Sequence, residues 1–143
     1  LVSKLLTLAE NADEEMFNKV LNKVRSTDGS ACPVVGLTGT GGAGKSSLTD
    51  ELMLRIQRDN PGTKIALLAT DPTRKRTGGA LLGDRIRMNS LSDENLFMRS
   101  FASRDSGREI ADCIGRSIEA CKAVGFDLVV VETSGIGQGN DAI

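Results

Sequence analysis

The residues with the clearest chemical potential form one glycine-rich stretch, Gly39–Ser46, with the sequence GTGGAGKS. Its spacing fits the phosphate-binding pattern G-x-x-x-x-G-K-[ST] at every fixed position. Successive backbone N–H groups in such a loop point into one concavity and bind phosphate oxygens. Lys45 would reach the outer phosphates, and the Ser46 hydroxyl would bind Mg²⁺. We therefore expect nucleotide to bind at Gly39, Gly41, Gly42, Ala43, Gly44, Lys45, Ser46 and Ser47.

Acidic residues that follow the apolar strands are candidate ligands for the Mg²⁺ that accompanies a nucleoside triphosphate. Asp71 follows the second strand, Asp84 lies in a glycine-containing stretch, and Glu132 ends the third strong apolar run. Mg²⁺ prefers oxygen ligands, and a carboxylate at a buried strand end usually has a partner or a metal. We predict a metal site formed by Ser46, Asp71, Asp84 and Glu132, with Thr133 as a further candidate.

The segment after Glu132 resembles the acid-x-x-Gly switch of GTPases, in which the backbone N–H of a glycine senses the γ-phosphate. In small signalling GTPases a glutamine directly after that glycine orients the attacking water. Here Ile136 follows Gly135, and Gln138 lies two residues further on. Either Gln138 acts from a different loop geometry or intrinsic hydrolysis is slow, and we favour slow hydrolysis. The candidate catalytic residues are Lys45, Glu132 and Gln138, and Arg87 is a candidate for phosphate or nucleotide contact.

The elements that must position these residues alternate between strand and helix. Continuous apolar runs predict buried strands at 33–38, 64–69 and 126–131, with a less certain strand at 96–101. Helices are predicted at 45–59 and 106–123, with a short helix at about 77–90. This pattern indicates a mostly parallel sheet that helices cover on both faces, with ligands at the carboxyl ends of the strands. The predicted fold class is therefore an α/β P-loop NTPase.

A helical segment precedes the phosphate loop. Residues 3–25 carry one apolar stripe, formed by Leu5, Leu8, Ala12, Met16, Val20 and Val24. The acidic residues 13–15 could restart a second helix after a short break at 10–11. We divide the chain into a helical segment or linker at 1–30 and the N-terminal part of a P-loop GTPase domain at 31–143. The chain begins at Leu1 and ends just after a glycine-rich loop, so we expect a C-terminally truncated piece of a longer protein.

Composition narrows the class of protein. A net charge of −1 argues against a general nucleic-acid surface, and no apolar run approaches the ~20 residues of a membrane span. The chain has no histidine, which excludes histidine general-base chemistry and histidine metal ligation within it. Three cysteines without metal-ligand spacing suit a reducing cytoplasm, and Cys113 and Cys121 are expected to pack as small hydrophobes on one helix.

Several strings taken in order resemble the G-protein chaperones of adenosylcobalamin-dependent acyl-CoA mutases. They are GTGGAGKSSL from Gly39, GGALLGDRIRMNS from Gly78, FMRSFASR from Phe97 and ETSGIGQG from Glu132. They look closest to the G domain of fused isobutyryl-CoA mutases, within the methylmalonyl-CoA mutase family. The resemblance covers about residue 33 to the end, and it matches residues 1–30 only loosely.

The resemblance implies GTP hydrolysis, with GTP and GDP as substrate and product, coupled to cofactor loading and protection of a mutase. It implies Mg²⁺ positions at Ser46, Asp71, Asp84 and Glu132, and nucleotide contact near Arg87. Adenosylcobalamin would bind other domains of the parent protein. The mutase and cobalamin domains would be partners in the same chain or in another subunit, and the parent would be a homo-oligomer. Guanine preference rests on the resemblance alone, because the Asn-Lys-x-Asp motif that reads the base is absent from this segment.

Three alternatives remain open. A cargo-positioning ATPase would carry a second lysine where Thr40 stands, which counts against it. A small-molecule kinase would need a carboxylate facing an acceptor hydroxyl, and Asp71 could serve. An inactive structural fragment of such a domain would bind nucleotide poorly or not at all.

Overall fold

The computed structural model describes residues 1–11, 13–25, 31–40, 42–71, 94–102 and 107–133, with the backbone alone for Asp71, Ala102 and 107–111. Four helices and four strands occur in this part of the chain. In order they are α1 (Val2–Asn11), α2 (Glu14–Val24), β1 (Val34–Leu37), α3 (Lys45–Asp59), β2 (Ile65–Asp71), β3 (Leu96–Ala102), α4 (Gly107–Ala123) and β4 (Leu128–Glu132). The short helix predicted at about 77–90 lies outside the described residues.

The four strands form one parallel sheet in the order β1-β4-β2-β3. β4 pairs with β1 and with β2, and in both cases other helices and strands lie between the paired strands in the chain, as parallel pairing requires. The parallel sheet predicted from the apolar runs is confirmed. So is the less certain third strand, which extends to Ala102 and pairs with β2 along its whole length.

Two apolar clusters cover the two faces of the sheet. Ala66 and Leu68 of β2 pack in a cluster with residues of α1, α2 and α4. Ile65 and Leu67, which alternate with them, pack with Met53 of α3 in a second cluster. Because side chains alternate along a strand, a strand that is buried on both faces reads as a continuous apolar run. This explains why β2 carries no polar alternation.

The N-terminal helices pack into the first cluster, and the predicted apolar stripe is confirmed at Leu5, Leu8, Val20 and Val24 but not at Met16. Leu5, Leu6 and Ala9 of α1 and Phe17 and Leu21 of α2 are buried, whereas Met16 is 52% exposed. The prediction for Met16 was wrong because the helix ends at Asn11 and a new one begins at Glu14. The Asp13 side chain caps α2 by accepting a hydrogen bond from the Met16 N–H at 2.7 Å. The helical phase therefore restarts, and one period does not run through both helices.

Strand β1 is less buried than its sequence predicts. Val34 and Val35 are 41% and 39% exposed, although the run 33–38 reads as a buried strand. Within the described residues β1 pairs with β4 alone and so lies at one edge of the sheet. None of the helices in the described ranges is long and apolar enough to cross a membrane.

Candidate functional site

The register of the sheet brings the carboxyl ends of three strands side by side. Glu132 of β4 pairs with Leu37 of β1 on one side and with Ala69 of β2 on the other. Gly39 follows Leu37 by two residues, and Asp71 follows Ala69 by two residues. The predicted convergence of the phosphate loop, the end of β2 and the end of β4 is confirmed at the level of the backbone.

The loop between β1 and α3 depends on glycine at particular backbone angles. Gly42 and Gly44 have φ values of 76° and 82°, in the left-handed region that residues with a Cβ rarely adopt. Gly44 is the residue that precedes α3, and its carbonyl accepts the first helical hydrogen bond from the Leu48 N–H at 2.9 Å. These glycines therefore turn the chain directly from the loop into the helix.

Helix α3 begins without the stabilising groups that a helix start usually carries. In the described part of the chain, no side chain caps its first turn, and that turn contains no acidic residue. Helix α2 has both, with Asp13 as its cap and Glu14 and Glu15 in its first turn. The start of a helix has unpaired N–H groups and partial positive charge, so an acid there would be favourable. Its absence from α3 leaves this end suited to an external anion such as phosphate.

Lys45 already points into the loop. Its Nζ donates hydrogen bonds to the carbonyl oxygens of Gly39 and Thr40, both at 2.9 Å. An ammonium group has three N–H donors, so these two bonds leave one for another acceptor. The side chain thus holds a positive charge at the mouth of the loop, where the outer phosphates of a nucleotide would lie.

Ser46 and Glu132, predicted from separate strings, meet at the end of the sheet. The Ser46 Oγ donates to Oε1 of Glu132 at 2.6 Å. Glu132 is 8% exposed. A hydroxyl oxygen and a carboxylate oxygen are the hard donors that Mg²⁺ prefers, so this pair fits a magnesium ion. Across the described ranges, no group of three or more Asp, Glu or Cys side chains gathers into a metal site.

Thr49 is a third member of this group, and the sequence reasoning missed it. Its Oγ1 lies 3.2 Å from Oε2 of Glu132 and 2.9 Å from the carbonyl oxygen of Lys45. Thr49 follows Ser46 by three residues on α3, which places both side chains on one helix face. The three-residue spacing from Ser46 could have pointed to Thr49. Its place beside Glu132, however, follows only from the packing of β4 against α3.

Thr133 lies at the same edge with its polar groups turned to β1. Its N–H donates to the Leu37 carbonyl at 3.0 Å, and its hydroxyl lies 3.4 Å from the same oxygen. Its predicted metal role stays a prediction. The nucleotide-binding roles of Gly41 and Arg87, the metal role of Asp84 and the catalytic role of Gln138 also stay predictions, because these four residues lie outside the described ranges. So does the metal role of Asp71, of which only the backbone is described.

Comparison with known proteins identifies the family of this chain. The family profile described as "Methylmalonyl Co-A mutase-associated GTPase MeaB" matches residues 2–143. A fused isobutyryl-CoA mutase of Cupriavidus metallidurans is 52% identical over 145 residues, which cover 99% of this chain and 13% of that protein. The corresponding protein of Geobacillus kaustophilus is 60% identical over 149 residues, with coverages of 99% and 14%.

A Pyrococcus abyssi protein described as a GTPase is 43% identical over 137 residues, which cover 95% of this chain and 41% of that protein. The chain thus spans less than half of each of these three relatives. The family match begins at residue 2, so it takes in α1 and α2 as well as the phosphate loop. With its parallel sheet, its phosphate loop and this match along almost the whole sequence, the chain belongs to the family of methylmalonyl-CoA mutase-associated GTPases called MeaB.

Proposed function

We propose that this chain forms the phosphate- and Mg²⁺-binding part of a GTPase that serves an adenosylcobalamin-dependent acyl-CoA mutase. The observation that carries the proposal is the contact between Ser46 of the phosphate loop and the buried Glu132 at the end of β4. It joins the two sequence strings that would bind phosphate and metal. Membership of the MeaB family supports GTP as the nucleotide.

In this proposal the residues act mainly by position and charge. Lys45 would exchange its loop carbonyl partners for phosphate oxygens, and the N–H groups at the start of α3 would face the same anion. Ser46 and Glu132 would hold Mg²⁺, with Asp71, Asp84 and Thr133 as further candidates. A bound Mg²⁺ supplies charge neutralisation on the phosphate oxygens during phosphoryl transfer.

Hydrolysis by the chain itself would be slow. Ile136 occupies the place after Gly135 where a water-orienting glutamine stands in small signalling GTPases. Gln138 is the candidate that could substitute, and Arg87 is the candidate for a further nucleotide contact. Single-turnover hydrolysis by the complete protein with Gln138→Ala tests this, and an unchanged rate would remove Gln138 from the mechanism.

The link to a mutase rests on the relatives. Two of them are named as fused isobutyryl-CoA mutases, so the partner domains would lie in the same chain or in a neighbouring subunit of a homo-oligomeric parent. Coupling requires that the GTP and GDP states bind those domains with different affinity. Cobalamin would bind outside this chain, which has no histidine to offer as a cobalt ligand. A cytoplasmic location fits the free cysteines.

The deciding experiment measures nucleotide binding by the complete protein that carries this chain. We expect GDP to bind more tightly than ADP, and Mg²⁺ to strengthen GDP binding in wild type. Tighter binding of ADP would contradict the guanine assignment. Failure to bind either nucleotide would leave a structural role for the domain and contradict the proposal.

A further inference from the structure

The two oxygens of the Glu132 carboxylate have different surroundings. Oε1 accepts from Ser46, whose residue is exposed at the phosphate loop, at 2.6 Å. Oε2 lies 3.2 Å from Oγ1 of Thr49, which is 0% exposed. One oxygen therefore faces the loop where a nucleotide would bind, and the other faces the interior between α3 and β4.

Thr49 connects this carboxylate to the start of the helix. Its hydroxyl has one hydrogen and two acceptors within reach, the Lys45 carbonyl at 2.9 Å and the Glu132 Oε2. A threonine inside a helix can satisfy its hydroxyl through the carbonyl four residues earlier. The second contact therefore comes from the packing of β4 against α3, and the one hydrogen of the hydroxyl is shared between the Lys45 carbonyl and the inner carboxylate oxygen.

A buried carboxylate oxygen without a donor is unfavourable, so loss of the Thr49 hydroxyl would release the inner oxygen from its place. The carboxylate would then turn more freely about its side-chain bonds, and its outer oxygen would spend less time beside Ser46. Groups that orient a metal ligand from behind commonly change metal affinity or activity by about 10- to 100-fold when they are removed.

We propose that Thr49 is a positioning residue for Mg²⁺-dependent nucleotide binding. Its hydroxyl fixes Oε2 of Glu132 and thereby keeps Oε1 beside Ser46. The inference rests on the proposed function, and it adds a residue that has no role in the phosphate-loop pattern. The same hydroxyl lies within hydrogen-bond distance of the Lys45 carbonyl and of Glu132, so one side chain links the phosphate-binding and metal-binding parts of the site.

The test compares three variants of the complete protein. Thr49→Val removes the hydroxyl at nearly constant shape, and Thr49→Ser retains it. Ser117→Ala is the matched control, because Ser117 is also 0% exposed and its Oγ donates to the carbonyl four residues earlier, that of Cys113, at 2.7 Å. This variant thus reports the effect of losing a buried hydrogen bond from a helical side chain to the backbone, without the loss of a contact to Glu132.

The readout is calorimetric binding of GDP at several Mg²⁺ concentrations and in EDTA. We expect Thr49→Val to weaken Mg²⁺ binding to the GDP complex by about 10- to 100-fold while GDP affinity in EDTA stays within about twofold of wild type. Thr49→Ser and Ser117→Ala should keep the Mg²⁺ dependence of wild type. A structural role alone would lower GDP affinity equally with and without Mg²⁺.

Two results would overturn the assignment of Thr49: an unchanged Mg²⁺ dependence in Thr49→Val, or an equal loss of GDP affinity with and without Mg²⁺. If Thr49→Val does not fold, Thr49→Ala removes the same hydroxyl without the β-branch and is read by the same criteria. Wild-type protein that binds no GDP under any condition would contradict the proposed function itself, and the role of Thr49 with it. The two failures are therefore distinguishable.

Discussion

The Oγ of Ser46 lies 2.6 Å from Oε1 of Glu132, although 86 positions separate the two residues in the chain. The register of β1 and β4 accounts for the approach, since Leu37 pairs with Glu132 and the loop then returns the chain to the same edge. Hydrogen bonds from a hydroxyl to a carboxylate are short and strong. The start of α3 is thus fixed to the end of β4 before any nucleotide binds.

The negative charge of Glu132 should be needed for Mg²⁺ binding and less so for folding. We expect Glu132→Gln, which keeps the shape of the side chain, to lower the Mg²⁺ affinity of the GDP complex by about 10- to 100-fold. Titration of Mg²⁺ into that complex measures the effect. Glu119→Gln is the control, because Glu119 is a half-exposed carboxylate on α4 that pairs with Lys122 at 3.7 Å. Equal behaviour of the two variants would remove Glu132 from the metal site.

The charge of Lys45 should contribute directly to nucleotide affinity. Hydrogen bonds to charged groups contribute about 1.5–3 kcal/mol, so Lys45→Ala should weaken GDP binding by about 10- to 150-fold. Equilibrium titration with GDP in the presence of Mg²⁺ measures it. Lys122→Ala, on the exposed side of α4, should leave GDP affinity unchanged. A Lys45→Ala variant with wild-type affinity would show that the ammonium group only braces the Gly39 and Thr40 carbonyls.

The local pattern of the sequence was sufficient for the elements and for the loop. The phosphate-loop spacing, the bounds of α3 and the apolar runs of β2 and β4 each depend on residues close together in the chain. The exposure of Met16 and Val34 was not predictable in this way, because it depends on where one helix stops and which strands lie beside β1. Thr49 was missed for the same reason, since its carboxylate partner is 83 positions away.

The left-handed backbone at Gly44 should make this position sensitive to any side chain. With φ at +82°, Gly44→Ala meets no neighbouring atom but forces an alanine into a strained conformation, which costs about 1–2 kcal/mol. Gly115→Ala is the matched control within α4, where the added Cβ also meets nothing within 4 Å and helix propensity should stabilise the fold by about 0.5–1 kcal/mol. Urea unfolding of both variants should therefore give shifts of opposite sign. Shifts of the same sign would contradict the backbone assignment.

An ion pair anchors the first helix to the sheet. Arg99 of β3 contacts Glu10 of α1, and their side chains are 28% and 18% exposed. We expect a double-mutant cycle with Glu10→Gln and Arg99→Met to give a coupling free energy of about 1–2 kcal/mol, between the values of exposed and buried pairs. The same cycle at Glu51 and Arg55, an exposed pair on α3, should give about 0.3–0.5 kcal/mol.

These two couplings also test the division of the chain at residue 30. If the Glu10–Arg99 coupling in urea unfolding is no larger than that of Glu51–Arg55, residues 1–30 behave as an attached linker. A larger coupling means that α1 unfolds together with the sheet, in line with the burial of Leu5, Leu6 and Ala9 in the first apolar cluster.

Cys121 should be the slowest of the three cysteines to react with alkylating reagents. Burial, reinforced by the nearby Cys32, raises the pKa of its thiol to about 12. Because the thiolate is the reactive form, only about one in 10⁴ of these groups is ionised at pH 8. The pKa values of Cys32 and Cys113 are also raised by burial, and both residues are less buried than Cys121. Peptide mapping at successive times of iodoacetamide treatment of the native complete protein should find Cys121 modified last of the three cysteines.

The same pKa shift gives stability a definite dependence on pH. A thiol whose pKa is higher in the folded state than in the unfolded chain holds its proton longer when folded. Above the unfolded value of about 9, the unfolded chain therefore binds fewer protons, and the free energy of unfolding falls by about 1.4 kcal/mol per pH unit up to about pH 12. Cys121→Ala lacks this thiol, so its free energy of unfolding should fall less than that of wild type between pH 9 and 10.5. Urea unfolding of both proteins measures the difference. An identical decline in the variant would mean that the Cys121 thiol ionises in the folded protein as readily as in the unfolded chain.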